Sequence, residues 1–142
     1  MSISGAHDPT RLPGLVAEES GATLGALTYR AGPGEIEVVT LNSAVENRGV
    51  GSALLAESRR LAEAAGARLW LITTNDNLRA IAFYQRRGMD MVALHRNFAD
   101  TVRLSKPALA PPSTGEIPFR HAIEFEYPTP GRPSPDDATA PA

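Results

Sequence analysis

Cysteine is absent from the 142-residue chain. That excludes a disulfide framework, a zinc-thiolate cluster and a cysteine nucleophile. Histidine is scarce: His7, His95 and His121 have no spacing that suggests a triad or a metal set. They read as surface or loop residues, and no metal is expected. Charge of one sign is lacking as well. Fourteen Lys and Arg against 16 Asp and Glu leave a formal net charge of −2, which offers no global attraction to nucleic acid or to an anionic membrane. No run approaches the ~18 apolar residues of a membrane span, and MSISGAHDPTRLPG has no basic segment leading into an apolar stretch. A cytoplasmic protein is expected, with a length that suits one domain with a proper core.

Proline is plentiful, and its placement marks the organisation. Residues 128–142 hold five prolines and no large apolar side chain, so they cannot bury enough surface to offset the entropy of ordering. A disordered tail is expected there. Lys106 to Pro118 reads as a long loop, open to roles as a substrate lid or a plain connection. Residues 1–11 form an N-terminal arm, and 12–127 the domain.

Within the domain the hydrophobic period changes in an ordered way. Residues 12–19 and 23–30 are strand-like and joined by Ser20-Gly21, which predicts a hairpin. A third strand follows over 35–41, where alternation puts Glu35, Glu37, Val39 and Leu41 on one face and Ile36, Val38 and Thr40 on the other. From Gly49 to Ala65 the spacing is helical, with Val50, Ala53, Leu54, Leu61 and Ala65 along one side. Residues 67–74 read as a buried strand, so the helix before them makes a parallel crossover. A second helix runs from Leu78 to Arg87, opened by Asp76 or Asn77, and residues 89–95 and 121–127 supply two more strands. The fold class is therefore α/β with a mixed sheet.

The segment Glu46-Asn47-Arg48-Gly49-Val50-Gly51-Ser52 joins the third strand to the longest helix. Its glycines allow close backbone approach where unpaired amides and the positive helix end converge, a place suited to phosphate. A Gly-x-Gly ahead of a helix also serves simple turn geometry. It is not a P-loop, because no Gly-Lys-Ser/Thr follows, nor a dinucleotide fingerprint, because Leu54 stands where the third glycine belongs.

A second element, from Asn77 through Ala80, Phe83 and Tyr84 to Gly88 and Met89, comes after the next strand. Together the two segments resemble the signatures of the GNAT acetyltransferase family, in family order. The resemblance covers about Leu12 to Tyr127. It implies a mostly antiparallel mixed sheet with one parallel, splayed strand pair and flanking helices, here with the first strand and helices reduced or missing. Acetyl-CoA would lie at the splay, its pantetheine paired with the backbone of Val39 and Leu41. The turn from Glu46 to Ser52 would hold the pyrophosphate, with Arg48 either on a phosphate or solvated. Asn77 caps its helix and would help hold the cofactor arm. Glu46 departs from the family's Gln or Arg, which weakens phosphate binding without abolishing it.

The same resemblance implies acetyl transfer to a primary amine of a small molecule or a protein. An amine with a pKa of about 10.4 must lose a proton at a cost of roughly 4 kcal/mol at neutral pH, so a base is useful. Tyr84 matches the family's general acid. Glu37, then Glu35, are the candidate bases, with Glu18 and Glu19 in reserve. Because the elements that normally form part of the acceptor wall are missing, a partner chain supplies that wall or the site is open, and a homodimer is expected. A CoA-binding module without turnover and a domain that uses the glycine turn for another nucleotide are the competing readings.

Overall fold

The computed structural model describes residues 1–8, 11–45, 48–105 and 116–128. The expected loop from Lys106 and the expected tail therefore lie almost wholly outside the described residues. Seven strands and three helices follow one another as β1 Ser2–Ala6, β2 Gly14–Glu19, β3 Ala22–Gly32, β4 Glu35–Ser43, α1 Val50–Ala64, β5 Arg68–Thr74, α2 Leu78–Arg86, β6 Asp90–His95, α3 Phe98–Ser105 and β7 Ala122–Glu126. The strand order is β1-β2-β3-β4-β5-β7-β6. This is the mixed sheet expected, antiparallel along β1–β4 and parallel between β4 and β5.

The chain divides into two units, Met1–Leu71 and Ile72 onward. In the first, β2 and β3 close through Ser20 and Gly21, both at positive φ (52° and 81°), the turn whose twist matches a right-handed hairpin. Short β1 lines the outer side of β2, pairing Ser2 with Glu18 and Ala6 with Gly14. Hydrophobic periodicity does not find β1, because SISGA has one large apolar residue and its order comes from its partner strand.

Helix α1 packs against β2, β3 and β4 through Val50, Leu54, Leu55, Ser58 and Ala62. This corrects the stripe read from the sequence: Ala53 and Leu61 are half-buried flanks and Ala65 is exposed beyond the helix end. A hydroxyl is the reason. Ser58 is buried at a core position because its Oγ donates to the Leu55 carbonyl at 2.7 Å, so a count of apolar residues passes over it. Burying Val50, Leu54 and Leu55 stabilises the unit by about 1.5–3 kcal/mol each. Gly25 on β3 lets the helix approach, since a Cβ there would stand 2.7 Å from Val50 Cγ1.

The second unit is ordered around Asn75. Its Oδ1 accepts from the amides of Arg120 (2.9 Å) and His121 (2.8 Å), and its Nδ2 donates to the Pro118 carbonyl at 3.0 Å. The chain entering β7 is thereby tied to the end of β5. Phe125 and Ala122 are fully buried on β7, and the rings of Phe98 and Phe119 meet edge to face at 6.5 Å. Helix α3 was not foreseen: it is eight residues long, and its helical signals are limited to Asp100 in the first turn and Arg103 in the last. His121 sits in the loop ahead of β7, as expected, whereas His95 lies on β6, and both have partners. His95 Nε2 lies 3.0 Å from Glu124 Oε1, and His121 Nδ1 accepts from the Asn97 amide at 2.9 Å.

Candidate active site

In the first unit the site is built by the end of β4 and the start of α1. Gly49 takes the N-cap position with φ 70° and ψ 17°, a left-handed conformation that costs glycine little and other residues more. No side chain caps this end, and the first turn of α1 carries no acidic residue. The first intrahelical bond runs from the Ala53 amide to the Gly49 carbonyl at 3.0 Å, so the amides of Val50 and Gly51 have no acceptor within the helix. With the positive end of the helix dipole, they favour an anion. Glu46 and Asn47 lie outside the described residues. Arg48 has an internal partner instead of bare solvent: its Nη2 donates to Glu19 Oε2 at 2.5 Å. This bond and the charge of Arg48 hold the Glu19 carboxyl below the ordinary value. Glu19, a reserve base, is thus committed to Arg48, while Glu18 is exposed on β2.

Strand β4 corrects the alternation expected for it. Its register to β3 shifts between Thr28↔Thr40 and Tyr29↔Val38, leaving Val39 as the extra residue of a bulge. Parity reverses there, so Leu41 joins Ile36 and Val38 on the face toward α1, opposite Leu27, Tyr29 and Ala31. Glu35 and Glu37 share their face with Thr40 and not with Val39 and Leu41. Two cross-strand contacts mark that face: the Thr28 and Thr40 hydroxyls lie 2.6 Å apart, and Arg30 Nη1 donates to Glu37 Oε1 at 3.1 Å.

The parallel ladder of β4 and β5 pairs Glu35↔Arg68, Ile36↔Leu69 and Glu37↔Trp70, and ends there. Among the described residues, β4 continues to Ser43 with no further pairing to β5, so the backbone of Val38 to Ser43 offers hydrogen-bonding groups on that side. The expected groups of Val39 and Leu41 lie in this stretch. Trp70 stands in register with Glu37, under the Arg68 guanidinium, 5.0 Å from the ring centroid. Arg30, Thr28, Thr40 and Trp70 were not named from the sequence. For the first three no signal exists without the register of β3 on β4; for Trp70, a lone tryptophan in a buried strand was the available sign.

Asn77 and Tyr84 belong to the second unit. Asn77 Oδ1 accepts from the Ala80 amide at 3.1 Å, the cap expected of it, and the adjacent Asp76 is buried. Tyr84 lies on α2 with its ring 5.4 Å from Phe83 and 5.7 Å from Phe125. Burial pushes its phenol above the ordinary value, so it carries its proton at neutral pH.

A glycine-bearing helix start on a bulged strand, and a parallel pair that stops short, are accompanied by a family match. The acetyltransferase (GNAT) family model matches residues 3–89. The chain belongs to the GNAT acetyltransferase family. The match begins within β1, so this short strand is part of the family pattern. The GNAT chain is 39% identical over 128 residues to the uncharacterized protein YdhI of Bacillus subtilis, covering 88% of this chain and 80% of that protein. It is 34% identical over 122 residues to YxbD of the same organism, also uncharacterized, covering 84% and 77%. A GNAT family acetyltransferase from Elizabethkingia anophelis, solved with acetyl-CoA bound, superposes with a TM-score of 0.73 at 16% identity, covering 89% of this chain and 96% of that one. The fold is the GNAT fold. No helix among the described residues is long and apolar enough to cross a membrane.

Proposed function

We propose that this GNAT protein moves the acetyl group of acetyl-CoA to a primary amine by direct attack. The observation that carries the reading is the end of the β4–β5 ladder at Glu37↔Trp70, which leaves β4 backbone groups open just ahead of the uncapped, left-handed Gly49 turn. The amides from Arg48 through Gly49, Val50, Gly51 and Ser52 receive the pyrophosphate, and the main chain of Val39 and Leu41 pairs with pantetheine. Acetyl-CoA in the Elizabethkingia protein supports this choice of cofactor over another nucleotide. For Arg48 to reach a phosphate it exchanges the Glu19 carboxylate for one, a swap between two charge-assisted hydrogen bonds.

In the transfer, the amine nitrogen forms a bond to the thioester carbon and the carbon–sulfur bond breaks. The products are an N-acetyl amine and CoA. One amine proton leaves to the Glu37 carboxylate, directly or through a water. The departing thiolate takes the proton of Tyr84. Its free acid has a pKa of about 8.5, so it needs less help than the amine. Glu35, exposed on the same face of β4, is the second candidate base. We further propose a cytoplasmic homodimer, because β1 and β6 are the outermost strands of the sheet.

Gly49→Glu tests the cofactor site. Its Cβ meets nothing within 4 Å, so the substitution strains the backbone by only about 1–2 kcal/mol, while its carboxylate stands at the phosphate turn. Calorimetric titration should show CoA binding lost in a protein that remains folded by circular dichroism. Unchanged CoA affinity would refute the assignment.

A further inference from the structure

Resting on the acetyl-transfer reading, we infer that the acceptor is an amine that also carries a carboxylate, an amino-acid-like substrate held on the face of β3 and β4 opposite α1. Helix α1, the helix of the first unit, packs on the other face, where Gly25, Leu27 and Leu41 lie. That face carries a cation, an anion and two hydroxyls in one cross-strand cluster: Arg30 bonded to Glu37, and Thr28 bonded to Thr40. The bulge at Val39 brings Thr40 onto the face of Glu37, and the cluster stands where the parallel ladder ends.

Two further features point to a ligand here. Trp70, in register with Glu37, has its Nε1 buried with no hydrogen-bond partner among the described residues. A buried N–H donor left in this way is costly unless something else accepts from it. The Arg30 side chain is 61% exposed, while Glu37 is only 21% exposed, so the guanidinium has donors facing water beyond the one spent on Glu37. A carboxylate approaching from solvent takes Arg30 as a charge-assisted partner. Glu37 then loses its guanidinium and faces the amine of the same molecule. One zwitterionic acceptor therefore replaces the internal ion pair with two intermolecular ones and frees the proposed base as it binds. An amine without a carboxylate leaves Arg30 on Glu37 and gains neither effect.

Trp70 is the single tryptophan of the chain, so its fluorescence reports on this face without any turnover. The full-length protein, with and without CoA, is titrated with L-amino acids, each beside its carboxamide and its decarboxylated amine. The same set is assayed with acetyl-CoA for released thiol. Saturable fluorescence changes are expected with amino acids, and KM about 10-fold or more lower for an amino acid than for its carboxamide. Arg30→Gln should raise the amino-acid KM to that of the carboxamide and leave CoA affinity as in the wild type. Equal or better use of carboxamides or decarboxylated amines overturns the inference, as does an Arg30→Gln variant that affects all acceptors alike. A fluorescence response confined to amino acids, with no thiol release, keeps the inference and removes acetyl transfer. No response of either kind to any amino acid overturns it.

Discussion

Gly25→Ala tests whether α1 is seated on the sheet as described. A Cβ at this position would lie 2.7 Å from the Asn42 carbonyl oxygen, 2.7 Å from Val50 Cγ1 and 3.4 Å from Leu54 Cδ1. The carbonyl belongs to β4, held in register with β3 at Ala26↔Asn42, and cannot rotate away. Val50 and Leu54 are 2% and 0% exposed, so neither can move aside without leaving its place in the core. The helix start or the strand must shift, and overpacking of this kind costs about 1–3 kcal/mol, here toward the upper end because one of the two closest atoms is backbone. With a urea slope of roughly 2 kcal/mol per molar, the unfolding midpoint should fall by about 1–1.5 M with no change in slope. Val50 directly follows Gly49, so the same shift disturbs the proposed phosphate turn, and CoA affinity should fall about 10-fold. Gly5→Ala is the control: a Cβ there meets nothing within 4 Å, and its unfolding free energy should stay within about 0.5 kcal/mol of wild type or rise slightly. A Gly25→Ala protein as stable as the Gly5→Ala protein would refute the packing of α1 on β3.

Tyr84→Phe should lower kcat about 10- to 100-fold with CoA affinity unchanged, and undiminished turnover would remove Tyr84 as the acid. Because burial raises the folded pKa of this phenol, its contribution to stability is complete below the unfolded value of about 10 and is lost as pH rises through the folded one. Ultraviolet titration of the wild type should therefore contain a phenol ionising above the ordinary range that disappears in Tyr84→Phe; an unchanged curve would show that Tyr84 is not buried. In sedimentation at micromolar concentration the protein should run as a dimer, and a monomer would contradict the proposed homodimer.

Features carried by short stretches of chain were legible in the sequence. Ser20-Gly21 encodes the hairpin turn, Asn77 the cap of α2, and the Gly49–Gly51 pair the tight entry to α1, because each depends on the conformational preferences of one or two residues. The two family signatures are local in the same sense, and they were enough to identify the fold class. What depends on distant partners was not legible. One extra residue at Val39 reverses the parity of β4, and only its pairing with β3 reveals it, so Leu41 was placed on the wrong face. The partners of Arg48, Arg30 and Asn75 lie 29, 7 and 43–46 residues away along the chain, and no spacing rule links them. Sequence determined which backbone turns and helix ends exist, since these are decided by local sterics. Tertiary structure decided which side chains share a face and which charges are already spoken for, since strand register and long-range contact have no local signature.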